Sequence, residues 1–381
     1  MKRIKILQVL LMLIALLITI PSCTIQENTP ATPTQEVVIK IETLMPTENI
    51  PEVYPLAAAG PYKVGIRRNI LFADPERAGR EVTLTIWYPA AVTEDTGLKE
   101  NPDAAPDLSG VPYPLILSST KVGFVFAPHL ASHGFVVVGI NKIDSQDHWG
   151  EWLIDYPLDI LFALKQVAAG AVPGLDGVVD ASRAGAMGYS FDGYDALALS
   201  GARVDPRNYL DQCAKTNALQ PLPPDWWIDY NCKMSKTWEE FEARALPWMK
   251  DSQDGLWQPM TDERIKAVMP MAPEGAWLFG ERGLAAANRP ALIIGAEKDD
   301  INIYNLEAAF IYENLGSADK SMITFMSKDH MMVYDSKAVA RMAHFATAFF
   351  GYHLQGKADY AQYFSEDFVK QQEDLAWGVV K

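Results

Sequence analysis

The sequence has little of the material from which metal sites and nucleic-acid interfaces are built. Three cysteines occur among 381 residues, and no histidine lies near Cys213 or Cys232, which argues against a zinc site. No stripe of lysine and arginine is present, and the formal net charge is −15 at pH 7. Because an acidic surface repels phosphate backbones, we expect no nucleic-acid partner.

The N-terminal residues have the pattern of an export signal. Lys2, Arg3 and Lys5 precede an apolar run over residues 6–20, which is shorter than the ~20 residues that span a bilayer. The stretch IPSC, which ends at Cys23, resembles a bacterial lipobox, in which the cysteine is lipidated and becomes the mature N-terminus. We therefore predict a signal peptide over 1–23 and a bacterial cell-envelope lipoprotein held at the membrane through Cys23. An uncleaved anchor and plain secretion are the alternatives, and all three place the rest of the chain outside the cytoplasm.

Two further expectations follow from that location. Residues 24–58 are rich in Thr, Pro and Glu and have one short apolar run, a composition typical of an extended tether. With Cys23 assigned to the lipid, Cys213 and Cys232 remain as a pair in an oxidising compartment, and we predict a disulfide between them. In the chain-entropy model a loop of that length is worth about 3 kcal/mol when closed. The alternative is two free, buried thiols.

No internal repeat is visible; strand-like and helix-like stretches alternate instead, which predicts an α/β fold over 59–381 with a mainly parallel, doubly wound sheet. In the first predicted strand, 81–89, apolar and polar residues alternate, which is typical of an exposed strand. The others are 114–119, 135–140, 184–190, 265–271, 290–296 and 321–327. Helical patterns cover 152–169, 191–200, 303–315, 337–354 (capped by Asp335 or Ser336) and 359–375.

One segment interrupts this alternation. Residues 203–261 contain no strand candidate, yet they hold five of the ten tryptophans: Trp226, Trp227, Trp238, Trp248 and Trp257. We interpret the segment as a helical insertion over the carboxyl edge of the sheet, closed by the predicted disulfide. It is either a lid with aromatics around a substrate pocket or a satellite subdomain with its own core, and the two descriptions are compatible.

The stretch GYSFDG, from Gly188 to Gly193, is close to the G-x-S-x-G nucleophile elbow of serine hydrolases. Ser190 ends a predicted strand and begins a predicted helix, which would lift its hydroxyl into the cleft at the sheet's carboxyl edge. Asp192 occupies the place of the second glycine, and Gly193 comes one step later. Asp192 fits such a turn if its side chain points sideways or towards solvent.

A nucleophilic serine needs a base and an orienting acid. His330 lies in the loop after the last predicted strand, whereas His344 and His353 fall within a helical pattern. For the acid, the carboxylates beyond the strand that ends at Ala296 include Asp299, our choice, and Asp300, the second candidate. Their order along the chain, Ser then Asp then His, is that of α/β-hydrolases.

The motifs PLILSS, HLASHGFVVVGINKID, VDASRAGAMGYSFDG, GAEKDDI and SKDHMM together resemble the bacterial branch of platelet-activating-factor acetylhydrolase-like esterases. Such sequences are often labelled dienelactone-hydrolase-like, and cutinase-type polyester hydrolases are close relatives. The resemblance covers about residues 60–351. It implies the α/β-hydrolase fold, Asp299 as the acid and His330 as the base. It also implies an oxyanion hole formed by the amide of Phe191 and an amide in the loop after PLILSS, here Val122, although that loop lacks the relatives' Ser-His-Gly core.

The sequence therefore predicts a cofactor-independent serine ester hydrolase that acts through an acyl-enzyme. The expected substrates are lipid-like, short-acyl or polyester-type esters, and Trp227, Trp248 and Trp277 are candidates for lining the acyl pocket. A serine peptidase or amidase on the same fold is one alternative. A catalytically silent, ligand-binding lipoprotein is the other, motivated by Asp192 and the altered loop.

Overall fold

The apolar runs of the sequence form one mixed sheet. The computed structural model describes residues 53–92, 97, 99–141, 149–216, 222–249 and 253–380, with the backbone alone at 120–124, 149–151 and 246–249. Segment 1–23, including Cys23, and the tether up to residue 52 lie outside the described residues. The strands are β1 (Lys63–Asp74), β2 (Arg80–Ala90), β3 (Asn101–Pro102), β4 (Tyr113–Ser119), β5 (Val136–Ile140), β6 (Val179–Tyr189), β7 (Ile265–Met271), β8 (Ala291–Ala296), β9 (Lys320–Phe325) and β10 (Leu375–Trp377).

The centre of the sheet is parallel, as predicted. Over the described residues the spatial order is β10-β9-β8-β7-β6-β4-β5-β2-β1-β3. Strands β5, β4, β6, β7, β8 and β9 run parallel, while β2 and β10 add antiparallel at the two sides. The carboxyl ends of the parallel strands therefore meet at one edge, which is where active sites form in such sheets.

Helices cover both faces of the sheet. They are α1 (Thr120–Ser132), α2 (Trp149–Ala168), α3 (Phe191–Leu199), α4 (Pro206–Ala214), α5 (Asp225–Asn231), α6 (Trp238–Met249), α7 (Ala276–Ala285), α8 (Ala308–Asn314), α9 (Ser336–Gln355) and α10 (Glu366–Lys370). Strand β4 shows how the two layers share the sheet: Leu115 and Leu117 belong to the core under α2 and α3, and Ile116 belongs to the core under α1 and α9. Within the described ranges, no helix has both the length and the apolar content needed to cross a membrane.

The antiparallel side of the sheet differs from expectation. Strand β2 was predicted as an exposed strand, but Leu84, Ile86 and Trp87 are fully buried. Leu84 and Ile86 pack in the core under α2 and α3, and Trp87 packs in the core under α1 and α9. The outer edge of β2 is paired with β1, which was not recognised in the sequence. Its pattern is broken by a bulge between Arg67 and Ile70, and bulges remove the alternation that identifies a strand.

Two helical predictions also need correction, and one helix was missed. The amphipathic pattern over 359–375 is not one helix: α10 begins after Ser365, whose side chain accepts from Phe368 N, and Leu375 starts β10. The helix predicted over 303–315 begins at Ala308. Helix α1 was not predicted; it begins directly after β4 and contains Pro128. The cap of α9 is Asp335, one of the two predicted, which accepts from the amides of the first turn.

The insertion is helical, as predicted, with α4, α5 and α6 and no strand in the described part of 203–261. Cys213 and Cys232 form a disulfide. Trp238 and Trp257 pack on Phe241, which is part of the same core as the sheet, so these aromatics do not form a separate satellite core.

A short N-terminal strap, residues 54–62, is held against α1 and α9 by buried histidines. His129 Nε2 lies 2.9 Å from the carbonyl oxygen of Leu56, whose amide donates to His344 Nδ1 at 3.1 Å. His133 Nε2 lies 2.9 Å from Ala58 O. The ring of Tyr54, which is 2% exposed, meets His344 edge-on at 5.3 Å. The end of the predicted tether is therefore packed on the domain.

Because these histidines are buried, we predict that the folded protein loses stability in mild acid. Burial lowers the pKa of both His129 and His344 to about 3, and neighbouring His133 acts in the same direction. An unfolded histidine titrates near 6.5, so between these values the unfolded chain binds more protons than the folded chain. The stability due to the neutral rings is fully present above about pH 6.5 and is lost as the pH falls, by up to about 1.4 kcal/mol per pH unit for each ring.

Urea denaturation at pH 7.5, 6.5 and 5.5, above the range in which ordinary carboxyl groups titrate, measures this slope. The His344→Gln variant should be less stable at pH 7.5 and should show a shallower dependence on pH. Equal slopes for the variant and the wild-type chain would contradict the assignment.

Candidate active site

The turn between β6 and α3 has the backbone geometry of a nucleophile elbow. Ser190 lies there with φ 60° and ψ −125°, a conformation that costs free energy for any residue with a side chain. Its amide donates to Met271 O at 2.9 Å. A Cβ at Gly188 would lie 1.8 Å from Asp192 O, and one at Gly193 would lie 2.8 Å from Pro273. Both glycines are therefore required by the close approach of strand and helix.

Of the two orientations expected for Asp192, sideways or towards solvent, the structure excludes the second. The residue is 3% exposed, and its Oδ2 accepts a hydrogen bond from Ser119 Oγ. Ser119 is the last residue of β4 and is 1% exposed. The side chain that replaces the elbow glycine thus extends beneath the turn to the neighbouring strand end.

The structure brings Ser190, His330 and Asp299 together in one chain of hydrogen bonds. His330 Nδ1 lies 2.9 Å from Asp299 Oδ2 and 3.1 Å from Oδ1. His330 Nε2 lies 2.8 Å from Ser190 Oγ. Because a carboxylate only accepts, Nδ1 carries the proton, and Nε2 is left to accept from the serine hydroxyl. This is the arrangement in which an imidazole takes a proton from a serine.

The turn that follows β8 gives the two candidate acids different surroundings. Asp299 is 7% exposed, and its Oδ1 accepts from Ile301 N at 3.1 Å and from Asn302 N at 2.8 Å. Asp300 is exposed. The side chain of Asn302 donates to Ala272 O at 2.8 Å and so ties this turn to the end of β7. Asn302 was not among the predicted site residues, although an aspartate followed by turn residues is a recognisable Asx pattern.

Tyr189, which precedes the serine, is a second residue that sequence analysis missed. Its hydroxyl donates to His330 O at 2.6 Å, and burial raises the pKa of this phenol. The residue belongs to β6, so the contact fixes the loop that carries His330 to the strand that carries Ser190. The residues around Tyr189 in the sequence gave no signal of this contact with a distant loop.

Both predicted oxyanion amides lie at helix starts. Phe191 is the first residue of α3, and its ring is edge-on to Trp152 at 5.4 Å. Val122 was predicted in a loop, but the helix α1 begins at Thr120, so Val122 lies in its first turn. First-turn amides have no partner within their own helix and point towards the carboxyl edge of the sheet, where they suit a developing negative charge.

The insertion meets the site at the turn behind Asp299. Trp227 and Trp277 contact edge to face at 4.6 Å, and together with Cys232 they form a small cluster on which Ile303 and Leu306 pack. The structure therefore joins two of the three tryptophans proposed for an acyl pocket. The side chain of the third, Trp248, lies outside the described residues.

A buried carboxyl group lies behind this turn. Glu307 is 1% exposed and accepts from Ala276 N at 2.9 Å. Burial raises the pKa of Glu307 well above its usual range, and repulsion from Glu274 and Asp299 acts in the same direction. Among the described residues, no group of three or more His, Cys, Asp or Glu side chains is placed to hold a metal ion.

A family model described as PETase, PET hydrolase-like, matches residues 252–376. This match agrees with the parallel sheet and with the strand–turn–helix at Ser190. The chain has the α/β-hydrolase fold. The matched segment includes Asp299 and His330, whereas Ser190 precedes it. No curated protein matches the chain.

The match supports an ester hydrolase of the α/β-hydrolase superfamily. It does not reach the platelet-activating-factor acetylhydrolase-like branch, which stays a prediction from the sequence motifs.

Substitution of Tyr189 by Phe tests the contact with the His330 loop. Loss of a buried hydrogen bond should lower the free energy of unfolding by about 1 kcal/mol. It should also slow the reaction of Ser190 with a fluorophosphonate, because the histidine is less firmly placed. Tyr88→Phe is the matched control. Tyr88 lies in β2, away from this edge of the sheet, and its hydroxyl donates to Ala104 O at 2.7 Å. We expect a similar loss of stability there and an unchanged reaction rate; equal rates in all three proteins would refute the positioning role.

Proposed function

We propose that the protein is a serine carboxylic-ester hydrolase in which Ser190 is the nucleophile, His330 the base and Asp299 the orienting acid. The observation that carries the proposal is the continuous chain of hydrogen bonds from Asp299 through His330 to Ser190 Oγ. Its three members come from the ends of β8, β9 and β6, at one edge of the sheet. The family match supports the same class of reaction.

The geometry supports the following steps. Ser190 Oγ attacks the ester carbonyl while His330 Nε2 takes the hydroxyl proton, and the amides of Phe191 and Val122 stabilise the oxyanion. The tetrahedral intermediate expels the alcohol, which receives its proton from His330. Water then attacks the acyl-enzyme with His330 again as the base, and the acid leaves. Asp299 holds the ring in the required tautomer and stabilises the imidazolium.

The surroundings of the site favour an apolar ester. Ile301 and Met331, which follow two members of the proposed triad, are 44% and 50% exposed. Trp226 on α5 is 47% exposed. Exposed apolar side chains next in sequence to the proposed triad and on the insertion suit a lipid-like, short-acyl or polyester-type substrate better than a charged one.

We further propose that the enzyme acts outside the cytoplasm, anchored through Cys23. The signal-like N-terminus and the Cys213–Cys232 disulfide support this location, since disulfides persist in oxidising compartments.

Substitutions at the triad test the proposal directly. Ser190→Ala should abolish fluorophosphonate labelling and lower the hydrolysis of p-nitrophenyl esters by at least about 10⁴-fold. Asp299→Asn should cost about 10⁴-fold in kcat, because the imidazole is left in the wrong tautomer. Asp300→Asn, the matched control, removes an exposed carboxylate one position away and should change kcat by less than about two-fold.

Two results would overturn the assignments. Absence of labelling in well-folded wild-type protein would favour a silent, ligand-binding protein. Equal losses at Asp299 and Asp300 would mean that the acid has been misidentified. A panel of p-nitrophenyl esters of increasing acyl length, a phospholipid, a polyester film and a p-nitroanilide then distinguishes the ester classes from the amidase alternative.

A further inference from the structure

The residue that replaces the second glycine of the elbow contacts the strand end beside the altered loop. Asp192 replaces that glycine, and Ser119 directly precedes Thr120 and Lys121, which stand in place of the His-Gly of the relatives' Ser-His-Gly core. Asp192 and Ser119 are 73 positions apart in the chain, yet Ser119 Oγ donates to Asp192 Oδ2 in a buried hydrogen bond. Because a carboxyl oxygen is a strong acceptor, a buried contact of this kind fixes the two backbones that carry it.

The first turn of α3 packs closely on Gly188. A Cβ built on Gly188 would lie 2.9 Å from the Cβ of Asp192 and 1.8 Å from its carbonyl oxygen. The absence of a side chain at Gly188 therefore lets the backbone and Cβ of Asp192 lie against the end of β6. A replacement that were merely tolerated would be expected to turn outward, whereas Asp192 is 3% exposed.

Ser119 is placed to transmit the contact to α1. It is the N-cap residue of that helix, with φ −88° and ψ 166°, but its hydroxyl does not cap the helix. N-cap serines usually accept from a first-turn amide. Here the Ser119 hydroxyl donates to Asp192 instead. It therefore does not accept from a first-turn amide of α1, and that amide can serve another acceptor.

We infer that Asp192 and Ser119 are positioning residues that set the distance between the two halves of the oxyanion hole. Asp192 lies in the first turn of α3, one residue after Phe191, and Ser119 lies three residues before Val122. The contact thus joins the two helix starts that supply the amides. The carboxyl group also lies at the N-terminal end of α3, where negative charge is favourable. This inference rests on the proposed function, because it assumes that these amides stabilise an oxyanion.

Five variants test the inference in the full chain: Asp192→Gly, Asp192→Asn, Ser119→Ala, the Asp192→Gly/Ser119→Ala double variant, and Ser200→Ala. Asp192→Gly restores the family's glycine, and Asp192→Asn keeps an acceptor for the Ser119 hydroxyl. Ser200→Ala is the control, because it removes a buried hydroxyl that donates to Leu197 O at 2.6 Å at the far end of α3.

A misplaced oxyanion donor raises the free energy of the transition state and leaves the affinity for substrate unchanged. We expect Asp192→Gly and Ser119→Ala each to lower kcat by about 10- to 100-fold at unchanged KM. Asp192→Asn should retain kcat within about three-fold, and the double variant should be no worse than the poorer single variant. Ser200→Ala should keep the wild-type kcat. Hydrogen exchange of the amides at 120–124 should accelerate in Asp192→Gly and Ser119→Ala but not in Asp192→Asn or Ser200→Ala.

Several outcomes would overturn the inference. They are an Asp192→Gly enzyme as active as the wild type, additive losses in the double variant, losses confined to KM, and unchanged exchange at 120–124. Failure of the proposed function is a different result: wild-type protein would show no hydrolysis dependent on Ser190, while the exchange measurement would still decide whether the pair holds α1.

Discussion

The backbone of Ser190 is the constraint on which the rest of the site depends. A serine held at φ 60° persists only where the surrounding structure over-determines it, and here strand β6 and helix α3 leave no space for a Cβ at Gly188. The turn is tied to β7 through the Ser190 amide and to the His330 loop through Tyr189. The hydroxyl is consequently fixed by the main chain, and the imidazole and carboxylate are brought to it by loops that are themselves bonded to neighbouring strand ends.

Contacts between strand ends also distinguish the two candidate acids. Asp299 and Asp300 are equivalent in sequence, and the turn that follows β8 distinguishes them. The amides of Ile301 and Asn302 bond Asp299 Oδ1, which leaves Oδ2 nearest to His330, while Asp300 faces water. Asn302 in turn bonds the end of β7. The proposed acid is thus positioned by polar contacts whose members come from separate segments of the chain.

Much of the fold could be predicted from the sequence, because buried parallel strands are continuous apolar runs. The strand 265–271 was located to the residue, and the order of elements from β4 to α9 was largely correct. The antiparallel margin was not. The bulge near Asn69 disrupts the sequence pattern of β1, and the alternating pattern of β2 did not show that the strand is buried. The candidate triad could be named because its residues follow strands at one edge. Tyr189, the Ser119–Asp192 pair and the bond from Asn302 to the end of β7 could not, because contacts between distant segments leave no local pattern.

The packing of the two faces gives the site one further property. Helix α3, which begins at the serine, belongs to one core, whereas α9, which begins a few residues after His330, belongs to the other. The hydrogen bond between serine and histidine therefore joins elements whose helices pack on opposite faces of the sheet. The alignment of the pair consequently depends on the packing of both cores.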